Sequence, residues 1–231
     1  MAGRLWVGDF SLPSAVSPLT RRGPVITSTN LAPRRPISTL RHEAGVGAVL
    51  DQCFWGLTPP WLKVLDHAPH CARAESLFER PMFRDAITTQ RCLIPVSGFY
   101  VWKPQPKRKQ PFLVVHIQRR PLLLAGLWCR FEQQFTHYDS CALITVPSLP
   151  HLTPLTDRLP AVIAPHRARQ WLSPDTPMDE VHQMLSCPFP EPLGAYPVTT
   201  LVNSPENQSM QCTHPTGPML VDRHHDTPDT P

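Results

Sequence analysis

The sequence has few charged residues and no long apolar segment. Asp, Glu, Lys and Arg make up 17% of the 231 residues, below the share of about 25% that is usual for globular proteins. No apolar run approaches the ~18 residues that a membrane-spanning helix requires. The N-terminal residues also lack the basic start and apolar stretch of a secretory signal. These absences exclude a membrane-spanning helix and predict a soluble, cytoplasmic protein with no membrane partner.

Paired cysteine motifs are absent as well. The seven cysteines include no C-x-x-C pair, and their odd number argues against a complete disulfide framework. Candidate zinc ligands do lie near each other at His67, His70 and Cys71, with His137, Cys141 and His151 downstream. Because this spacing matches no common zinc pattern, we interpret the histidines as surface residues and predict no metal and no cofactor.

Proline, by contrast, is abundant. The chain has 30 prolines, more than twice the usual share of about 5%, and proline interrupts helices and central strands. A long helical bundle is therefore excluded. Strands are predicted at 25–29, 46–55, 91–96, 99–103, 112–117, 122–128, 140–146 and 161–164, and helices at 76–88, around Trp171 and at 178–185. This pattern predicts an α+β fold in which short strands dominate.

The C-terminal segment differs in composition from the rest of the chain. From about Met219 the sequence becomes polar and contains the run His224-His225-Asp226-Thr227-Pro228. Segments with few apolar residues cannot bury enough surface to fold. We therefore predict one domain over residues 1–218 and a disordered tail over residues 219–231.

Basic residues exceed acidic residues and occur in clusters. The net charge is +4, with basic pairs at Arg21-Arg22, Arg34-Arg35 and Arg119-Arg120 and a group at Lys103, Lys107, Arg108 and Lys109. Clustered positive charge is typical of proteins that bind polyanions, but a solvated basic surface has the same composition. Charge alone leaves both interpretations open.

Eight short motifs occur in a specific order. They are Met1-Ala2-Gly3-Arg4, Asn30-Leu31-Ala32-Pro33, Trp55-Gly56-Leu57-Thr58-Pro59-Pro60-Trp61, Cys71-Ala72-Arg73-Ala74-Glu75, Gly98-Phe99-Tyr100-Val101-Trp102, Lys109-Gln110-Pro111-Phe112, Ala125-Gly126-Leu127-Trp128 and Thr156-Asp157-Arg158-Leu159-Pro160. Together they resemble the SRAP family, also called SOS response-associated peptidase-like proteins, from Gly3 to about Asn207. The resemblance implies a single α+β domain with curved, mostly antiparallel sheets around a central groove and a few short helices. It also implies a role in DNA damage, since family members capture abasic sites in single-stranded DNA.

Four of these motifs have a catalytic residue in the family, and this chain differs at each of the four positions. The family's cysteine after the initiator methionine is Ala2 here, its asparagine before Ala-Arg-x-Glu is Cys71, its glutamate in Gly-Phe-Tyr-Glu-Trp is Val101, and its histidine before Asp-Arg-x-Pro is Thr156. Four changes in four separate motifs indicate divergence. We predict that no catalytic residue is intact and that positions 2, 71, 101 and 156 converge on one pocket.

The missing residues have a chemical consequence. In the family, the α-amine of the second residue, with a pKa of about 7.7–8.0, attacks the aldehyde of the abasic site. The cysteine thiol then closes a stable ring, which Ala2 cannot do. Val101 and Thr156 cannot transfer protons near neutral pH as glutamate and histidine do. The chain is therefore expected to form no thiazolidine crosslink.

Residues that would hold DNA are retained, and the resemblance predicts DNA contacts at Arg4, Asn30, Pro33, Trp61, Arg73 and Arg158. Guanidinium groups bind phosphate through paired hydrogen bonds. An exposed tryptophan can stack on a base, which stabilises the complex by about 1–3 kcal/mol. Structural roles are the alternative: ion pairs of Arg73 with Glu75 or of Arg158 with Asp157, and a core position for Trp61.

The leading functional hypothesis is binding of single-stranded or abasic-site DNA, by a monomer, without crosslinking. Salt should weaken such binding, and Arg73→Ala and Arg158→Ala should each lower it. The alternatives are a protein-interaction or structural remnant without DNA affinity, and a weak abasic-site lyase that uses only the N-terminal amine. Cys71 with His70 could also be a relocated nucleophile, although a buried, inert thiol is the preferred interpretation.

Overall fold

Short strands form most of the fold, as the computed structural model shows. It describes residues 3–62, 68–106, 109–133, 136–187 and 189–221. Within these ranges the strands are β1 Leu5–Val7, β2 Leu19–Arg21, β3 Ser28–Leu31, β4 Pro36–Glu43, β5 Gly47–Trp55, β6 Cys71–Arg73, β7 Arg91–Val96, β8 Gly98–Pro104, β9 Lys109–His116, β10 Leu122–Gln133, β11 Thr136–Pro147, β12 Arg158–Pro160 and β13 Leu193–Pro197. The α-helices are α1 Pro81–Thr89, α2 Ala168–Leu172 and α3 Met178–Ser186.

Two sheets organise these strands. The first has five antiparallel strands in the order β13-β9-β8-β1-β3. The second has eight strands along the path β12-β11-β10-β7-β4-β5-β2, with β6 added beside β11. A parallel pairing of β11 with β5 closes five of these strands into a ring. The predicted α+β fold with curved, mostly antiparallel sheets and few short helices is confirmed.

Alternate residues of the ring strands face two different cores, as the two-residue period of a strand requires. On β7, Leu93 packs with Phe83 of α1 and Trp171 of α2. Its neighbours Cys92 and Ile94 face the other side. That side forms a core with the five-stranded sheet, which we call the inter-sheet core; it includes Leu5, Phe99, Val101, Cys92, Ile94 and Leu143. One face of the ring strands therefore packs against the helices, and the other face packs against the five-stranded sheet.

The outer face of the five-stranded sheet is covered by residues 199–213, which we call the C-terminal segment. Val202 and Cys212 of this segment pack against Tyr100 and Leu113. Further on, Leu220 exchanges two backbone hydrogen bonds with Ala195, at 2.9 and 2.7 Å. Met219 packs against the same outer cluster. The packed part of the chain thus extends to Leu220, past the predicted domain end at residue 218, and residues 222–231 lie outside the described ranges.

Most strands occur where the sequence predicts them, with three informative differences. The helix predicted at 76–88 begins at Pro81, since proline suits the first turn of a helix and not its interior. The strand predicted at 161–164 is displaced, since β12 ends at Pro160. The residues that follow form hydrogen bonds first to β11 and then to β10. Ala161 N–H donates to Ile144 O, and Ile163 N–H donates to Leu123 O. The strand predicted at 25–29 is displaced to Ser28–Leu31.

The β8–β9 hairpin depends on a glycine. Trp102 pairs with Pro111, and Phe99 pairs with Val114. A Cβ atom at Gly98 would lie only 2.6 Å from Val114 O, so a larger residue would force the two strands apart. Lys107 and Arg108 of the basic group, between these two strand pairs, lie outside the described residues.

Candidate DNA-binding site

The N-terminal strand lies beside the Gly-Phe-Tyr-Val-Trp motif. Leu5 pairs with Phe99, and Trp6 pairs with Gly98, in antiparallel register. Tyr100 N–H donates to Arg4 O at 3.0 Å, which extends the pairing towards the start of the chain. The β1 strand has only three residues but is held between β8 and β3. This pairing places Arg4 beside Tyr100, the residue before Val101, while Ala2 lies outside the described residues.

Val101 is a core residue. Its side chain is only 1% exposed and packs in the inter-sheet core, on the same face of β8 as Phe99. Its partner across the hairpin is Phe112. A valine in these surroundings offers no proton donor or acceptor, so this position contributes packing and no acid–base chemistry.

Cys71 lies at the other side of the same core. The strand β6 pairs in parallel with β11, which places Cys71 beside Leu143, and the Cys71 side chain packs against the inter-sheet core. Burial raises the pKa of the Cys71 thiol to about 12. The thiol is therefore protonated near neutral pH, and a protonated thiol is a poor nucleophile.

His70 is engaged with a tryptophan. Its ring meets the Trp55 ring edge-on, with 6.0 Å between centroids, and its backbone carbonyl accepts the Trp55 indole N–H at 2.9 Å. Burial lowers the pKa of His70, which keeps the imidazole neutral near pH 7. This arrangement, with the protonated thiol of Cys71, supports the inert interpretation over a cysteine–histidine nucleophile.

Thr156 shapes the turn that precedes β12. Its hydroxyl donates to Arg158 O at 3.0 Å, and Thr156 N–H donates to Leu152 O at 3.2 Å. The turn is bounded by Leu155 and Leu159, both members of the inter-sheet core. The hydroxyl therefore has a local structural partner.

Three of the four diverged positions thus border one core, although they are far apart in sequence. Cys71 and Val101 contact the inter-sheet core directly, and the Thr156 turn lies between two of its residues. The sequence predicts that positions 2, 71, 101 and 156 form one pocket. Of these, Val101 contributes an apolar side chain, Cys71 a protonated thiol, and Thr156 a hydroxyl that already donates a hydrogen bond.

The three predicted phosphate-binding arginines have different surroundings. Arg73 is exposed on β6. Arg158 is 13% exposed and forms a two-point ion pair with Glu75, at 2.9 and 2.8 Å. Arg4 is half-buried: its Nη2 donates to Asn203 O at 3.5 Å, and its buried Nε has no partner among the described residues. Burial lowers the pKa of Arg4. Arg73 is therefore the most accessible of the three.

Asn30 anchors the C-terminal segment. Its side chain is fully buried, and its Nδ2 donates to Val202 O at 3.1 Å, Ser204 O at 2.8 Å and Asn207 O at 3.1 Å. Because this amide is buried and bonded to backbone, it positions the segment that touches Arg4. Pro33 begins the turn after β3, and Arg34 in that turn has a φ of 67° and donates its N–H to Trp55 O at 2.8 Å.

Trp61 is 57% exposed, the largest side chain among the exposed apolar residues. It follows Thr58, whose backbone N–H donates to the buried hydroxyl of Ser140 at 2.9 Å. The exposed indole favours the predicted base-stacking role over the alternative core position.

Sequence reasoning missed two residues at this site, Thr145 and Asn203. Thr145 accepts a hydrogen bond from Arg158 Nε at 3.2 Å and donates to Ala72 O at 3.2 Å. Asn203 bonds the Trp102 indole N–H through Oδ1 at 2.7 Å. Both contacts join residues far apart in sequence, and the only local signal was the turn composition of Asn203-Ser204-Pro205.

The chain also matches a known protein family. A family model described as SOS response associated peptidase (SRAP) matches residues 11–205. The chain belongs to the SRAP family. The predicted family resemblance is thereby confirmed.

Two relatives of this SRAP protein are both named abasic site processing proteins. It is 32% identical over 202 residues to the abasic site processing protein YoqW of Bacillus subtilis, covering 85% of this chain and 86% of the relative. It is 25% identical over 189 residues to the abasic site processing protein YedK of Escherichia coli, covering 80% and 83%. A crystal structure of a protein from Bordetella bronchiseptica superposes with a TM-score of 0.71 at 20% identity, covering 86% of this chain and 100% of the other. The structural match confirms the fold.

A metal site and a membrane-spanning helix are the two other features that bear on the function of this SRAP protein. Among residues 3–62, 68–106, 109–133, 136–187 and 189–221, no group of three or more His, Cys, Asp or Glu side chains is arranged to hold a metal ion. His67 of the candidate zinc group lies outside these ranges. In the same part of the chain, no helix has the length and apolar composition needed to cross a membrane.

A cavity of about 570 Å³ lies next to the diverged positions. It is lined by Ala74 and Glu75, by the end of β11, by β12 and by α3. Its walls are mainly apolar, and Glu75 lies between this cavity and Arg158. The cavity therefore adjoins the SRAP site without including Cys71, Val101 or Thr156 in its lining.

Proposed function

We propose that this SRAP protein binds single-stranded DNA at abasic sites, in a DNA-damage (SOS) context, without forming a stable covalent crosslink. The proposal depends mainly on one observation: Cys71, Val101 and Thr156 contribute no group able to transfer protons near neutral pH, while Arg73, in the motif of Cys71, and Trp61, in the Trp-Gly motif, are exposed to solvent. The relatives named as abasic site processing proteins support the choice of ligand.

The absence of a stable crosslink follows from the side chains present. A stable ring requires a thiol on the second residue, and the sequence has Ala2. Cys71 does not replace it, because burial raises its pKa to about 12 and a protonated thiol reacts slowly. Val101 offers no proton and the Thr156 hydroxyl donates to Arg158 O, so imine formation at the N-terminal amine would lack general acid–base assistance.

DNA binding in this proposal depends on Arg73, Trp61 and Arg4. Arg73 reaches solvent and can pair with a phosphate through two parallel N–H groups. Trp61 offers an exposed ring on which a base can stack. Arg4 directly precedes β1, and its buried Nε has no hydrogen-bond partner among the described residues. Phosphate contacts of this kind would make the affinity fall as salt rises.

Two experiments test the proposal together. A binding titration with single-stranded DNA that carries one abasic site, between 25 and 200 mM salt as a range of about one decade, should show measurable binding that weakens with salt. The same mixtures, heated in denaturant, should show no DNA–protein adduct. Absence of binding at the lowest salt would instead support a protein-interaction or structural role, the second class of function that the sequence allows.

A cytoplasmic monomer is also part of the proposal. All seven cysteines carry free thiols, which fits a reducing compartment. Sedimentation of the pure protein would measure its oligomeric state.

A further inference from the structure

The Arg158–Glu75 ion pair engages both terminal nitrogens of the arginine. Arg158 Nη1 donates to Glu75 Oε1 at 2.9 Å, and Nη2 donates to Glu75 Oε2 at 2.8 Å. This is the side-by-side geometry with which a guanidinium would otherwise bind a phosphate. Glu75 therefore occupies the face of Arg158 that a phosphate would need.

The remaining donors of Arg158 point to the protein. Its Nε donates to Thr145 Oγ1 at 3.2 Å, and its Nη2 also donates to Thr145 O at 2.7 Å. With the two bonds to Glu75, four of the five N–H donors of the guanidinium are used. The guanidinium is thus held against β11, with its charge balanced by a carboxylate.

Arg73 differs from Arg158 in its exposure to solvent. It lies two residues before Glu75 in the sequence, and its side chain is exposed. The exposure of Glu75 is 53%, against 13% for Arg158, so the carboxylate lies on the solvent side of the pair. A polyanion that approaches Arg73 from solvent meets the Glu75 carboxylate before it meets Arg158. Hydrogen bonding to Arg158 also lowers the pKa of Glu75, which keeps it charged at neutral pH.

We propose that Glu75 limits the affinity of this site for polyanions, because it neutralises Arg158 and presents its own negative charge beside Arg73. The inference rests on the proposed function, since it concerns how strongly the same surface binds DNA phosphates. It assigns to Glu75 a role in setting affinity, and to Arg158 a smaller part in binding than its sequence motif suggests.

The variant Glu75→Gln tests this role. Glutamine keeps the size and one acceptor oxygen but removes the charge. We expect Glu75→Gln to bind single-stranded DNA about two- to fivefold more tightly than the parent at low salt, the range that a partly exposed charge supports. Its log–log salt slope should be steeper by about 0.7, the value for one additional phosphate contact on a single strand. The double variant Glu75→Gln/Arg158→Gln should lose this gain.

Glu132→Gln is the matched control. Glu132 is an exposed glutamate on β10, paired in register with His137, so the substitution removes the same charge at a different place. It should change affinity by less than about a factor of two, as a distant exposed charge does. Equal effects of Glu75→Gln and Glu132→Gln would overturn the inference and leave the proposed function standing. Failure of the parent and of Glu75→Gln to bind DNA at any salt concentration would instead remove the proposed function and the inference with it.

A second comparison applies if Glu75→Gln does not fold. In the parent background, Arg73→Gln should reduce the salt slope by about 0.7, and Arg158→Gln should reduce it by less than half of that amount. Thermal unfolding identifies variants that are folded and can be compared. Equal reductions of the salt slope for the two arginines would show that Glu75 does not keep Arg158 from binding phosphate. This result would overturn the inference.

Discussion

The inner and outer parts of the SRAP site differ in how much they have diverged. The inner part borders the inter-sheet core at Cys71, Val101 and the Thr156 turn, and its side chains pack or bond locally. The outer part keeps Arg73 and Trp61 exposed to solvent. Catalytic groups are costly to keep buried without a function, since they must be desolvated, whereas exposed basic and aromatic residues cost little. The proposed function corresponds to this difference, since binding depends on the outer part and the inner part supplies no proton transfer.

The largest expected effect concerns covalent chemistry. The parent should form no adduct with abasic single-stranded DNA that survives heat and denaturant, measured on a denaturing gel. Where Met1 has been removed, borohydride should trap a reversible imine at the α-amine. Ala2→Cys should restore only part of the crosslinking, because Val101 and Thr156 still supply no proton transfer. A heat-stable adduct with the parent would show that another nucleophile acts, and Cys71→Ser would test whether it is Cys71.

Removal of the exposed ring should have the next largest effect. Trp61→Ala is expected to weaken binding of single-stranded DNA by about 1–3 kcal/mol, because one base loses its stacking partner. Fluorescence anisotropy at low salt measures the change. Met210→Ala is the matched control, since Met210 is also 57% exposed but belongs to the C-terminal segment. Equal losses in the two variants would point to general surface effects and against base stacking.

The buried amide of Asn30 should affect stability before it affects binding. Asn30→Ala removes three hydrogen bonds to the C-terminal segment and leaves buried carbonyls unpaired. We expect a loss of about 1–3 kcal/mol in the free energy of unfolding, measured by urea denaturation. Ser28→Ala, which removes the exposed bond to Gln208 at 2.7 Å and the bond that Ser28 Oγ accepts from Asn30 N–H at 3.2 Å, should cost less. A stable Asn30→Ala protein with weakened DNA binding would make Asn30 a direct contact.

Thiol reactivity offers a finer test of the inner part. At pH 7.5, iodoacetamide should label the exposed Cys187 much faster than Cys71, because burial raises the pKa of the Cys71 thiol to about 12. Labelling of Cys71 should increase only at strongly alkaline pH, where its thiolate forms. Mass spectrometry of tryptic peptides follows both sites. Rapid labelling of Cys71 at neutral pH would contradict the inert interpretation.

The smallest expected effect is a change in salt dependence. Arg73→Ala should reduce the log–log salt slope of DNA binding by about 0.7 and weaken binding similarly for all sequences, because one phosphate contact is lost. Titrations at four salt concentrations with two unrelated oligonucleotides measure both effects. A sequence-dependent loss would mean that Arg73 reads bases.

The sequence predicts the fold and the members of the site better than it predicts their contacts. The motif order identifies the family, and short, nearly continuous apolar runs predict β7 and most of β8 closely. The strands β1 and β6 have only three residues each, too few for a periodic signal. They exist because longer neighbouring strands pair with them.

Ion pairs were the hardest feature to predict. The sequence offers Arg73 with Glu75, or Arg158 with Asp157, as candidates because these residues are neighbours. The structure instead pairs Arg158 with Glu75, which are 83 positions apart, because β6 and β12 lie on either side of the same end of β11. Strand order decides this partner, and strand order is not a property of local sequence.

The contact between Arg4 and Asn203 joins positions that are 199 residues apart. A ribosome adds about 5–20 residues per second, so about 10–40 seconds separate the synthesis of Arg4 from that of Asn203. Until Asn203 has been made, Arg4 lacks the hydrogen bond that the C-terminal segment provides. Because Arg4 is one of the contacts in the proposed function, this part of the proposed DNA-binding surface is completed only late in translation.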